Sequence, residues 1–257
     1  MSSAAEAAPL SERLCRNPRA VVAGTIAVLA ALAWAWTING AGLGNNRPMT
    51  EGAQTSLIGG LLVLLMWWVM MAAMMLPSAA PAILLYGRVR QQHGETAVIR
   101  PSWWFLGGYL LAWLAFAVLF ACLQMLATRT GLLDPMTMRA TSPFVAGACL
   151  ITVGVYQLSS IKDACLVNCR SPATFLSRHW KPGRPGALRL GLLHGIYCVG
   201  CCWLLMGLLF IGGVMNFVWI AVLAALVALE KLTRSGSLIS KVIGGALILW
   251  GLARVAT

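Results

Sequence analysis

Seven stretches of this chain are apolar over about the thickness of a bilayer, and this restricts the fold more than any other property of the sequence. They cover roughly 19 to 38, 57 to 77, 103 to 126, 143 to 160, 188 to 210, 216 to 230 and 238 to 254. A segment in hydrocarbon has no water to bond its backbone, so each must close its own hydrogen bonds as a helix. The expected fold is therefore all-α, a polytopic transmembrane helical bundle of about seven spans. The fourth, sixth and seventh runs are short, and the turn Gly212-Gly213-Val214-Met215-Asn216 carries no charge to anchor it, so a six-span version with a partly re-entrant 190 to 229 is the alternative.

With 60% hydrophobic and only 10% charged residues, an ordinary soluble domain is excluded. The formal net charge of +12 belongs to segments between the apolar runs, where it suits anionic lipid; no nucleic acid partner is expected. Arg13, Arg16 and Arg19 precede the first run, which ends in WAWTING without a small-residue cleavage pattern and is read as a retained helix. Sorted by alternate loops, 15 of the 19 Lys and Arg fall on the side of the N-terminus, leaving Arg47, Arg129, Arg139 and Arg254 on the other. That bias places the N-terminus in the cytoplasm. The chain divides into an N-terminal tail (1–18), a first span with its external loop (19–56) and a membrane unit (57–257) containing a basic cytoplasmic loop at 161–189.

Chemistry concentrates in the fifth run, GLLHGIYCVGCCWLLMG, inside a stretch from Leu190 to Leu229 with no Asp, Glu, Lys or Arg. Three thiols and an imidazole in hydrocarbon are costly unless they bind or react with something. Helical spacing puts His194, Cys198 and Cys201 or Cys202 on one stripe that continues to Met206. Gly191 and Gly195 share that side and would let a neighbouring helix come close. The second run carries a methionine-rich motif, MWWVMMAAMMLPS, in which Met71, Met74 and Met75 form the tightest group, followed by the helix breakers Pro77 and Pro81. Thioethers are soft, uncharged ligands suited to Cu(I), although methionine also fills irregular gaps in helix packing.

A third group, YQLSSIKDACLVNCRSP, places Cys165 and Cys169 four apart, with Lys162 and Arg170 nearby as charges that would favour thiolate; without a second pair it is a weak zinc signal. Cys15, Cys122 and Cys149 have no such company and read as packing residues. Glu230 closes the sixth run in LVALEKL, either as an interfacial ion pair with Lys231 or turned inward as ligand, proton acceptor or support for His194.

The runs WWVMMAAMMLPS, YQLSSIKDACLVNCRSP and GLLHGIYCVGCCWLLM, followed by GVMNFVWIAVLAALVALEKL, together resemble the bacterial family of predicted metal-binding integral membrane proteins, a domain-of-unknown-function family. The likeness covers about 57 to 232. It implies a multi-pass protein of the bacterial inner membrane with a metal site, in the context of copper handling, but no established activity.

The residues themselves lead to a Cu(I) site, ahead of zinc or haem, built from Cys198, Cys201, Cys202, Met71, Met74, Met75 and His194, with Cys165, Cys169 and Glu230 as further candidates. The expected role is metal acquisition, delivery or cuproprotein assembly, with a membrane cuproenzyme or a metallochaperone as partner and the lipid bilayer as surroundings. No GxxxxGK[ST] loop is present for nucleotide-driven pumping, so transfer would run by ligand exchange. Three other readings compete: an intramembrane thiol-disulfide oxidoreductase using the C-x-x-C pair Cys198 and Cys201, a membrane copper or haem oxidase, and an accessory subunit whose sulfur-rich helices merely pack.

Overall fold

The computed structural model describes residues 18–39, 57–92, 99–135 and 137–256. The expected N-terminal tail with Cys15, and the first external loop with Arg47, lie outside the described residues. The helices are α1 (Pro18–Ile38), α2 (Leu57–Gln92), α3 (Ile99–Arg129), α4 (Pro143–Gln157), α5 (Ser160–Arg170), α6 (Pro172–His179), α7 (Gly183–Gly207), α8 (Leu209–Gly212), α9 (Phe217–Leu232) and α10 (Gly236–Val255). Among the described residues the only β pairing is an isolated bridge between Leu133 and Ala140. The chain is an all-α polytopic bundle.

Five segments are long and apolar enough to cross a membrane, or six if the bent pair α4 and α5 counts as one span. The seven runs of the sequence all form helices; the difference in count rests on α9. This helix has 16 residues and ends in Glu230 and Lys231, so its uncharged part rises only about 20 Å against a hydrocarbon core of about 30 Å. Pro77 and Pro81, expected to interrupt the second span, are carried inside the continuous 36-residue α2.

Local chemistry explains where the chain turns. Leu158 ends α4, and the Ser159 side chain caps α5 by accepting from the Lys162 amide at 3.2 Å while its hydroxyl donates to the Tyr156 carbonyl at 2.7 Å. The two helices meet at 61°. Pro172 then opens α6 at a position where its missing amide hydrogen is not needed. The segment 161–189, expected as a loop, is thus folded into α5, α6 and the first turns of α7, and α5 packs on α7.

Small residues decide which helices touch. Gly191 of α7 faces the Phe105 carbonyl of α3, and Gly195 faces Ala112 and Tyr109, as the small-residue spacing of this helix led us to expect. Gly147 of α4 and Gly251 of α10 oppose each other so closely that a Cβ on either would stand 2.8 Å from the other's carbonyl oxygen. Burial then separates interior from outer helices. Half of the most apolar stretch of α7–α8 is buried inside the protein, against 22% for α1 and for α10. The sulfur-bearing helices α2 and α7 are therefore the more buried, at 44% and 50% of that stretch, while α1 and α10 turn Val28, Leu32, Val242 and Leu249 outward.

Candidate metal centre

Cys198 is the hub. Its Sγ lies 3.0 Å from Tyr109 Oη on α3 and 2.9 Å from Lys231 Nζ on α9. One turn on, Cys202 Sγ is 4.0 Å from Met75 Sδ on α2, and both are close to the same ammonium: Lys231 Nζ is 3.5 Å from Met75 Sδ and 3.8 Å from Cys202 Sγ. Four helices therefore converge on two thiols, one thioether, one phenol and one ammonium. All five side chains are buried.

The backbone orients these groups. The Cys201 and Cys202 thiols both donate to the Cys198 carbonyl, at 3.1 and 3.0 Å, satisfying them locally as short polar side chains do inside a helix. The Met75 carbonyl accepts from Ser78 Oγ at 2.9 Å and Tyr109 Oη at 3.3 Å, which holds α2 against α3 beside the thioether. Tyr156 Oη donates to the Gly200 carbonyl, joining α4 to α7 between the cysteines.

The α5 cysteines join this group. Cys169 faces Cys198 and Cys201 across the α5–α7 contact, and Cys165 lies so close to Gly200 that an added Cβ there would be 2.8 Å from its sulfur. His194 stands one turn before Cys198, 3% exposed, with ring centroids 5.3 Å from Phe175, 5.9 Å from Tyr109 and 6.0 Å from Phe105. Its Nδ1 has no hydrogen-bond partner among the described residues. A buried imidazole nitrogen without a partner is an available ligand.

Other expected members lie elsewhere. Met71 and Met74 are buried in the hydrophobic core, and Met75 alone of the three reaches the ammonium. Glu230 turns to Lys162 Nζ at 2.7 Å and accepts from Gln157 Nε2 at 2.9 Å. Lys162 also donates to Gln157, and Ser240 Oγ donates to the Gln157 carbonyl at 3.3 Å. Lys162 therefore does not flank the cysteine sulfurs as charge support, and Arg170 bonds the carbonyls of Thr233 and Arg234 instead. Cys122 is exposed on α3, and Cys149 of α4 is half-buried.

The sequence reading passed over Lys231 and Tyr109. A signal for Lys231 was present: neighbouring helix positions do not face each other, so Glu230 and Lys231 cannot both point at one partner and each needs its own. Tyr109 carries no such mark. Among the described residues, no three His, Cys, Asp or Glu side chains close around one point as ligands of an ion would. Here the sulfurs surround an ammonium. Two cysteines and a methionine around one cation are nonetheless a soft donor set, matching cuprous ion rather than magnesium, calcium or manganese.

No curated protein and no solved structure matches the chain. A family profile described as copper chaperone does match, over residues 64–254, which takes in every hub residue from Met75 to Lys231. With the match spanning most of its length, the chain belongs to the PpoB2 copper chaperone family.

Proposed function

We propose that this protein holds Cu(I) inside its helical bundle and passes it on by ligand exchange, through Cys198 and Cys202 with Met75, supported by Cys169, Cys201 and His194. The observation that carries this reading is the arrangement of Cys198 Sγ, Met75 Sδ and Cys202 Sγ within 3.8 Å of one buried cation position. The copper chaperone family supports copper as the metal, and the donor set supports its cuprous state. Cys169, on the short helix α5 and against Cys198 and Cys201, is suited to exchange metal with the hub. Movement of Cu(I) among thiolates needs no redox change and no nucleotide. The recipient is a membrane cuproenzyme or a further metallochaperone.

Protein purified in detergent under reducing conditions should carry about one copper per chain after Cu(I) exposure and dialysis, by elemental analysis. Copper far below stoichiometry would sink the reading. The approach of Cys169 to Cys198 and Cys201 also favours a second reading, thiol-disulfide exchange with Cys169 as the resolving thiol. A reversible disulfide in metal-free protein that binds no copper selects it.

The orientation we propose, N-terminus cytoplasmic, rests on the distribution of Lys and Arg, and the bacterial inner membrane on the family resemblance of the sequence. It places Cys165 and Cys169 on the cytoplasmic side. A membrane-impermeant maleimide added to intact cells should leave both unlabelled, while the same reagent on opened cells labels them. Labelling in intact cells reverses the orientation and moves metal exchange to the outside.

A further inference from the structure

We propose that Lys231 is the charge-selecting residue of this sulfur hub, matching it to a monovalent soft ion held by two thiolates and against a divalent one. The inference rests on the copper reading above and concerns its selectivity.

Lys231 sits on the last turn of α9, and its ammonium is enclosed by protein. Buried ammonium groups are ordinarily answered by carboxylates. Here the nearby carboxylate, Glu230, is taken by Lys162 at 2.7 Å, so that pair is already neutral. Among the described residues the contacts of Lys231 Nζ are sulfurs: Cys198 at 2.9 Å, Met75 at 3.5 Å and Cys202 at 3.8 Å. Two of these can carry a negative charge, and the third, a thioether, cannot.

The charge count follows from that composition. Binding a monovalent ion, Cys198 and Cys202 each form a sulfur–metal bond as thiolates, any proton on either sulfur leaving to solvent, so metal and thiolates together carry one negative charge. Lys231 beside them brings the sum to zero. A divalent ion on the same two thiolates leaves the metal centre neutral and the ammonium uncompensated. An unpaired charge enclosed in an apolar bundle is the costly case. The same ammonium occupies a position that an ion shared by the three sulfurs would take, so loading requires Lys231 to draw aside and become a neighbour of the metal.

The test compares Cu(I), buffered by a chromophoric chelator, with Cd(II) on the full-length protein in detergent. Removing the charge in Lys231→Leu, which adds no donor atom to the hub, should lower the preference for Cu(I) over Cd(II) by about 100-fold or more, the scale of an uncompensated buried charge. Lys231→Gln should behave the same way while keeping a hydrogen-bond donor, and Lys231→Arg, which retains the charge, should keep the preference of the unaltered protein. If Lys231→Leu is not recovered folded, the Gln and Arg variants decide. A preference unchanged in the charge-removing variants overturns the role of Lys231 and leaves the copper site standing. Failure of the unaltered protein to bind Cu(I) overturns both.

Discussion

Cys198→Ser should lower Cu(I) affinity by more than about 100-fold, because loss even of a group that merely supports a metal ligand costs 10–100-fold. The serine hydroxyl nearly preserves the volume of the thiol but is a hard, weakly acidic donor, poorly matched to a soft ion. Cys198 is also the residue that the phenol of Tyr109 and the ammonium of Lys231 both address, at 3.0 and 2.9 Å. Cys202→Ser and Met75→Leu should follow with smaller losses, since each removes one donor from the rim of the hub and leaves Cys198 in place. Cys122→Ser, on the exposed side of α3, should bind as the unaltered protein does. Chelator competition on protein of matched detergent elution measures the series. Copper affinity of Cys198→Ser equal to that of Cys122→Ser would remove this cysteine from the site.

Lys162→Met should destabilise the protein by about 3–5 kcal/mol, the cost of leaving a buried carboxylate without its partner. The Lys162 and Glu230 side chains are 0% and 2% exposed and lie 2.7 Å apart, with Gln157 bonded to both and Ser240 bonded to the Gln157 carbonyl. This network ties α4, α5, α9 and α10 together behind the sulfur hub. Glu230→Gln should be destabilised in the same direction, whereas the double change Lys162→Met with Glu230→Leu should lose much less, because two apolar side chains leave no buried charge behind. Thermal unfolding in detergent, read by near-ultraviolet circular dichroism, distinguishes these outcomes. A double variant as unstable as the single one would mean that packing rather than charge holds the four helices.

Part of this organisation is legible along the chain, because membrane helices must satisfy their own backbone and bury or face lipid with apolar side chains. Each of the seven apolar runs is a helix, and the sulfur-rich motifs of α2 and α7 mark the two most buried of the long helices. The interval from His194 to Cys198 to Cys202 is a property of one helix and could be read from spacing. So could the close approach announced by Gly191 and Gly195, which the Phe105 carbonyl and Tyr109 fill.

What spacing along one helix cannot supply is the partner on another. Met71, Met74 and Met75 are equivalent soft donors in the sequence; the rotation of α2 about its own axis brings Met75 to Lys231 and Cys202 and leaves Met71 and Met74 in the core. Lys162 and Arg170 look like support for the thiols of α5, yet the 61° bend set by Ser159 directs Lys162 to Glu230 and frees Lys231 for Cys198. The bend likewise carries Cys169 to Cys198 and Cys201, across an interval that no repeat or motif in the sequence foretells. Residue type and helical period determined which side chains could hold a soft ion and on which face. Helix rotation, the capped bend and the contest of two lysines for one glutamate are relations between segments far apart in the chain, and the tertiary structure decided them.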